Sequence, residues 1–313
     1  MPAAPLPDLL VILGPTASGK TRLAVALARG LGGEIVSADS RQLYRGMDIG
    51  TGKDREEYGA VPCHLIDVAD PRQPWDLHAY QTAALAAVAA IHGRGALPLL
   101  VGGSGLYLEA VLEGYQLVPA PENPALRAEL AALSMDALVD CLTRLRPRPH
   151  NTTDLLERDR LVRAIEIAEA AARAPPAPPA PMLHPLVLGL RWPRPLLRRR
   201  IEERLRRRLR EGLVAEARRL LDQGVGHDLL EHYGLEYRFL ARHLRGELNR
   251  NDLTQKLTAA ICDFAKRQES WFRRMERNGL RIHWLDATGD LQGSAWAVLE
   301  EQGLRRAVGR EGA

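Results

Sequence analysis

Leu9-Leu-Val-Ile-Leu13 followed by Gly14-Pro15-Thr16-Ala17-Ser18-Gly19-Lys20-Thr21 decides how the chain folds. Five consecutive apolar residues without alternation read as a strand buried on both faces, as in a parallel sheet covered by helices. The segment behind it satisfies Gly-x-x-x-x-Gly-Lys-Thr in full and runs into the helical pattern Thr21–Arg29, the context this motif requires. Its glycines let backbone N–H groups close around a di- or triphosphate. Lys20 adds a mobile positive charge, and the Thr21 hydroxyl can ligate Mg²⁺. The competing reading is a glycine-rich turn that binds nothing.

Working outward, Glu34–Ala38 and Pro98–Val101 read as further strands and Ala79–His92 as a helix. The expected fold is α/β, a P-loop-type parallel sheet flanked by helices, with an inserted helical domain. Ligand crevices of such sheets lie beyond the carboxyl ends of the strands, so the segments after Leu13, Ala38 and Val101 should converge there. Between Gln116 and Pro185 the character changes. Pro119, Pro121, Pro124, Pro147 and Pro149 bracket helical runs at Leu126–Leu133 and Leu155–Ala172, and the proline-alanine stretch Ala174–Pro181 should be extended and mobile. Leu186–Leu190 reads as a return to the sheet, and Pro195–Asn278 as mostly helical with a seam at Leu197, Ile201, Leu205 and Leu209. The division is therefore 1–115 with 186–313 as catalytic core carrying basic C-terminal helices, and 116–185 as the insertion.

Composition narrows the class. Of 313 residues, 46% are hydrophobic and 26% charged, which suits a folded globular chain and excludes wholesale disorder or a coiled-coil rod. No apolar run reaches the roughly 18 residues of a membrane span, and no secretory leader is visible. Cys63, Cys141 and Cys262 are scattered and form no CxxC, so spacing encodes neither a disulfide framework nor a zinc site, and a cytoplasmic location is expected. The net charge of +4 conceals a concentration: Arg191–Leu220 holds twelve arginines against four acidic residues. Lysines number only four, Lys20, Lys53, Lys256 and Lys266.

The phosphate loop alone suggests a nucleoside triphosphatase or small-molecule kinase. The strand tips qualify that reading. Glu34–Ala38 runs into Asp39-Ser40-Arg41-Gln42-Leu43-Tyr44, and Pro98–Val101 into Gly102-Gly-Ser104-Gly-Leu-Tyr107. Asp39 beside a phosphate loop suits a magnesium ligand, a general base or an N-cap, and Ser104 suits a reacting-centre hydroxyl or a turn serine.

These strings resemble the tRNA dimethylallyltransferases, also called tRNA isopentenyltransferases. The resemblance covers most of the chain. It rests on Gly14–Thr21, Asp39–Tyr44, Met47-Asp-Ile-Gly-Thr-Gly-Lys53, His64-Leu-Ile-Asp67, Val101–Tyr107, Arg160-Leu-Val-Arg-Ala-Ile-Glu166 and Lys266-Arg-Gln-Glu-Ser-Trp-Phe-Arg273. It implies transfer of a dimethylallyl group from dimethylallyl diphosphate to N6 of the tRNA adenosine on the 3′ side of the anticodon, with diphosphate leaving and Mg²⁺ as cofactor. Asp39 matches the family's general base, Ser104 a hydroxyl near the reacting centre, and Arg218 an arginine near the diphosphate, beside Lys20 and a metal on Thr21. The tRNA contacts it implies are Asp39, Ser40, Arg41, Gln42, Ser104, Arg127, Asp159, Arg160, Arg163, Tyr237, Arg238, Lys266, Arg267, Gln268, Trp271 and Arg273. A monomer with no membrane partner is expected.

Read without that resemblance, Arg218 is a solvated helical arginine and the charges around Trp271 a solvated helix face. The rival functions are a prenyltransferase acting on free nucleotide, a small-molecule kinase and a non-catalytic nucleic-acid-binding module. One departure stands out: Glu236, in Gly234-Leu-Glu236-Tyr237-Arg238, replaces a family glycine. It should turn away from the RNA backbone, paired to an arginine such as Arg238 or reading a base edge. The insertion is also shorter than the family's.

Overall fold

The computed structural model describes residues 5–146, 157–175 and 180–306. Six strands form one parallel sheet: β1 (Leu9–Leu13), β2 (Glu34–Ala38), β3 (Cys63–His64), β4 (Pro98–Gly102), β5 (Pro185–Arg191) and β6 (Ile282–Asp286), in the order β3-β2-β4-β1-β5-β6. All five β1 residues are buried, as the unbroken apolar run requires. Register pairs Leu10 with Leu99 on one side and with Leu186 on the other. Thus the carboxyl ends of β1, β2 and β4 lie side by side, and the three expected loops do converge.

Helices α1 (Lys20–Leu31), α2 (Leu77–Gly93) and α3 (Gly105–Leu112) follow β1, β3 and β4. After β5 come α7 (Arg194–Glu211), α8 (Leu213–Asp222), α9 (His227–His232), α10 (Leu235–Leu244), α11 (Arg250–Arg277) and, past β6, α12 (Leu291–Glu301), the insertion contributing α4 to α6. Leu10, Ile12, Leu23, Leu27, Leu188 and Leu299 belong to one apolar core that joins sheet, α1 and α12. On α7 the seam buries Leu197, Ile201 and Leu205, whereas Leu209 is half-buried, and the helix stops at Gly212, whose φ of 107° no side chain favours. No helix among the described residues is long and apolar enough to cross a membrane.

The chain separates into two compact units, the smaller being Leu77–Ala79 with Gly114–Pro181. Its later boundary precedes the expected 185 because the lead-in to β5 is tied to the sheet, His184 N donating to Asp8 Oδ1 at 2.7 Å. Within this unit α4 (Pro124–Ala131), α5 (Met135–Leu145) and α6 (Arg158–Arg173) pack Leu126, Leu130, Leu138, Leu142, Leu161 and Ile165 together. Asn123 and Ser134 cap α4 and α5 by accepting from Leu126 N and Ala137 N. The Arg158 guanidinium donates to the carbonyls of Leu130 and Ala131 at the C-terminal end of α4 and of Leu133 just past it. Pro147, Pro149, the expected helix start at Leu155 and residues 176–179 of the proline-alanine stretch lie outside the described residues.

Candidate active site

Left-handed backbone at Ala17 and Gly19, with φ of 63° and 89°, curls the segment between β1 and α1 into a phosphate-loop turn. Gly19 supplies no side chain to cap α1, so the first helical N–H groups remain available to an anion. Two carbonyls of the loop are satisfied from outside. Trp192 Nε1 donates to Ser18 O at 2.9 Å and Arg200 Nε to Ala17 O at 3.0 Å. Gln268, from α11, bridges two loops: its Oε1 accepts Thr16 N and its Nε2 donates to Gly103 O, both at 2.8 Å. A Cβ at Gly103 would collide with that Nε2, so a larger residue there would displace the Gln268 amide from its bridge.

Cations surround the loop. Desolvation pushes the Lys20 ammonium down to about 8; Asp39 opposes the shift, while Arg204 and Arg208 add to it. Arg204 itself, hydrogen-bonded to Thr16 Oγ1, is pushed down to about 9 by desolvation and then by Arg208. A cavity of about 630 Å³ opens here, lined among others by Gly19, Lys20, Thr21, Arg200, Arg204 and Arg207. Backbone amides at a helix N-terminus with converging cations make an anion site. The arginines come from α7, at spacings of four and three beside its leucine seam. That periodicity is visible in the sequence, and it is the signal that would have found them.

Asp39 and Ser104 occupy adjacent strand tips. Asp39 Oδ1 accepts Arg41 N at 2.9 Å, leaving Oδ2 without a protein partner among the described residues. Ser104 N donates to Ala38 O at 3.2 Å, and its Oγ accepts Ser40 N at 3.1 Å. Although Ser104 precedes α3, its hydroxyl makes no cap there. A half-buried carboxylate with one free oxygen, in the electrostatic field of Lys20, is placed for proton transfer.

Several expected contacts need correction. Arg218 is exposed on α8 and does not line the cavity. Tyr237 is 1% exposed, its hydroxyl donating to Glu216 Oε1 at 2.7 Å, so it does not face RNA. Gln42 is buried between Ser37 Oγ and Gly52 O, and Gln268 is committed to the two loops. Trp271 donates to Glu109 Oε2 at 2.9 Å and is covered by Arg274, whose guanidinium carbon lies 4.0 Å from the ring centre. Arg127 forks onto buried Glu166, which also accepts Asn123 N and is approached by Arg163, so it ties helices of the smaller unit together. Glu236 does pair with an arginine, but with Arg208 at 3.9 Å instead of Arg238. Asp159, Arg160, Arg238, Lys266, Arg267 and Arg273 are exposed, and Arg41 is half-buried.

Two buried carboxylate and ammonium centres lay beyond sequence reasoning. Glu216, 1% exposed, accepts the N–H groups of Asp48, Ile49 and Gly50. Lys53, equally buried, donates to Tyr44 O, Asp48 Oδ1 and Asp67 Oδ1. Together they fix the segment Met47–Lys53.

The family models described as IPP transferase and isopentenyl transferase match residues 42–275 and 7–58. A tRNA dimethylallyltransferase 2 of Syntrophotalea carbinolica is 62% identical over 288 residues, covering 91% of this chain and 97% of that one. A tRNA dimethylallyltransferase 1 of Geotalea daltonii is 58% identical, covering 94% and 96%. The solved tRNA isopentenylpyrophosphate transferase of Bacillus halodurans superposes with a TM-score of 0.70 at 34% identity, covering 95% of this chain and 98% of that chain.

Proposed function

The chain belongs to the tRNA dimethylallyltransferase family, and on that premise we propose that it moves a dimethylallyl group from dimethylallyl diphosphate to N6 of the tRNA adenosine 3′-adjacent to the anticodon, releasing diphosphate. The observation that carries the reading is the unpaired Asp39 oxygen at a strand tip beside the phosphate loop and its cations. The C–O bond of the donor breaks with its electron pair going to the diphosphate. The new C–N bond forms on the adenine amine, whose proton passes to Asp39. That amine is a weak nucleophile, since its lone pair is delocalised, so a base acting as the bond forms lowers the barrier. Lys20, Arg204 and the loop N–H groups meet the charge developing on the leaving group. Ser104 positions the Asp39 loop through Ser40.

Magnesium is the proposed cofactor, and Thr21 its protein ligand. Among the described residues no cluster of three or more His, Cys, Asp or Glu can hold a metal. A magnesium ion bound chiefly through substrate phosphates and water needs only one or two protein oxygens, and Thr21 lines the cavity beside Lys20. When bound, the ion neutralises diphosphate charge. Exposed Arg160, on the smaller unit, and Lys266, Arg267 and Arg273, on α11, suit contacts to RNA phosphates.

Incubation with labelled dimethylallyl diphosphate, Mg²⁺ and unmodified tRNA, followed by nuclease digestion, tests the reading. Label is expected on the adenosine beside the anticodon. Label on free AMP alone, or phosphate transfer from ATP, overturns it.

A further inference from the structure

Arg206 and Arg210 stand four residues apart on α7, and Arg250 opens α11. With Leu209, Asn251 and Thr254 they line a groove of about 510 Å³. All three arginines are exposed, and no acidic residue lines the groove with them. Arg206 is compensated from its own helix, Nη2 meeting Glu202 Oε1 at 2.5 Å, just as Glu203 answers Arg199 and Glu211 answers Arg207. Arg210 and Arg250 have no ion pair among the described residues. Like charges at a spacing of four on a helix repel, so this cluster costs stability unless an anion visits it.

The groove is continuous with the site already described. Arg210 lines both the groove and the phosphate-loop cavity, where it joins Lys20, Arg200, Arg204 and Arg207. Positive side chains therefore lead from the surface, through Arg210, to the ammonium at the loop. Neither Asp39 nor Ser104 lines the groove or the cavity, so nothing ties the adenosine's approach to this side. A cleft lined by one sign of charge gathers ions of the other sign and speeds their arrival.

We propose that the groove formed by Arg206, Arg210 and Arg250 is the entry site for dimethylallyl diphosphate, a first loose contact from which Arg210 hands the diphosphate to the phosphate loop. This rests on the function proposed above and adds to it the route of the donor. Exposed guanidinium groups hold an anion weakly in water. The groove accordingly sets the rate of arrival, while the loop sets the residence time.

Rapid filtration of the full-length chain mixed with labelled dimethylallyl diphosphate in Mg²⁺ buffer, followed by a chase with unlabelled compound, reads both rates. Arg210→Glu/Arg250→Glu is expected to slow association about tenfold and to flatten its dependence on salt, with dissociation within about twofold of wild type. Arg210→Gln/Arg250→Gln should fall between that variant and wild type, since steering follows charge. Arg277→Glu/Arg281→Glu makes the same change in net charge on exposed residues away from the groove, and should associate at nearly the wild-type rate. Unchanged association in the groove variants, an equal loss in the Arg277/Arg281 variant, or faster dissociation as the main effect overturns the proposal. Weakened tRNA binding with unchanged diphosphate association would overturn it too, assigning the groove to RNA. Wild-type chain that transfers label while the groove variants associate normally sinks this inference alone; wild-type chain that neither binds the diphosphate nor transfers label sinks the function as well.

Discussion

The Ser104 hydroxyl accepts the backbone N–H of Ser40 at 3.1 Å, stitching the loop after β4 to the residue that follows Asp39. A serine ahead of a helix ordinarily caps it, and this one caps nothing. Its oxygen holds the Asp39 loop instead, so the two strand tips are tied together.

Asp39→Asn should leave diphosphate and tRNA binding intact and slow transfer by about 10²–10⁴-fold, the range for a lost general base. Single-turnover transfer at saturating substrates checks this, and near-normal rates would remove Asp39 from the mechanism.

Diphosphate affinity should fall as pH rises through about 8, where desolvated Lys20 loses its proton. At that pH binding should be accompanied by proton uptake, visible as a dependence of the calorimetric heat on buffer ionisation enthalpy. The folding sign is opposite. Between the folded value of about 8 and the ordinary 10.5 the unfolded chain holds more protons, so this group's contribution to stability grows with pH. Lys20→Met should abolish both dependences.

Gln268→Leu should destabilise the fold by about 1–3 kcal/mol, since it leaves Thr16 N and Gly103 O without their partner. A lowered Tm together with weaker diphosphate binding and unchanged tRNA binding is expected. Selective loss of tRNA affinity would return Gln268 to the RNA interface.

Arg127→Ala should act through the smaller unit. The Arg127 fork, above all, holds the buried Glu166 carboxyl down to about 2. That stabilisation is present above the ordinary carboxyl range and is lost as pH falls toward 2. Removing the fork should speed hydrogen exchange in α4 and α6 at neutral pH and flatten the acid dependence of that exchange. Unaltered exchange alongside weakened tRNA binding would contradict the structural role.

Short apolar runs announced β1, β4 and β5, the pair Ile35-Val36 marked β2, and the phosphate loop fixed which of their ends matters. What escaped was weakly patterned. β3 is two residues long, and β6, Ile282-His-Trp-Leu-Asp286, is an edge strand with mixed burial that neither alternates nor stays apolar. Asp39, Ser104 and Lys20 were legible because each sits at a fixed distance from a strand end. The direction of a helical polar side chain was not. Gln268 and Lys266 belong to the same basic string, yet two residues of rotation bury one and expose the other.

Gly50-Thr51-Gly52-Lys53 has the composition of a second phosphate cradle, and the amides of Asp48, Ile49 and Gly50 do converge on an acid. That acid is Glu216, a covalent part of the chain. Tethered there, its carboxylate has an effective concentration no dissolved phosphate matches. The protein thus fills one anion cradle from within and leaves the amides of the phosphate loop open.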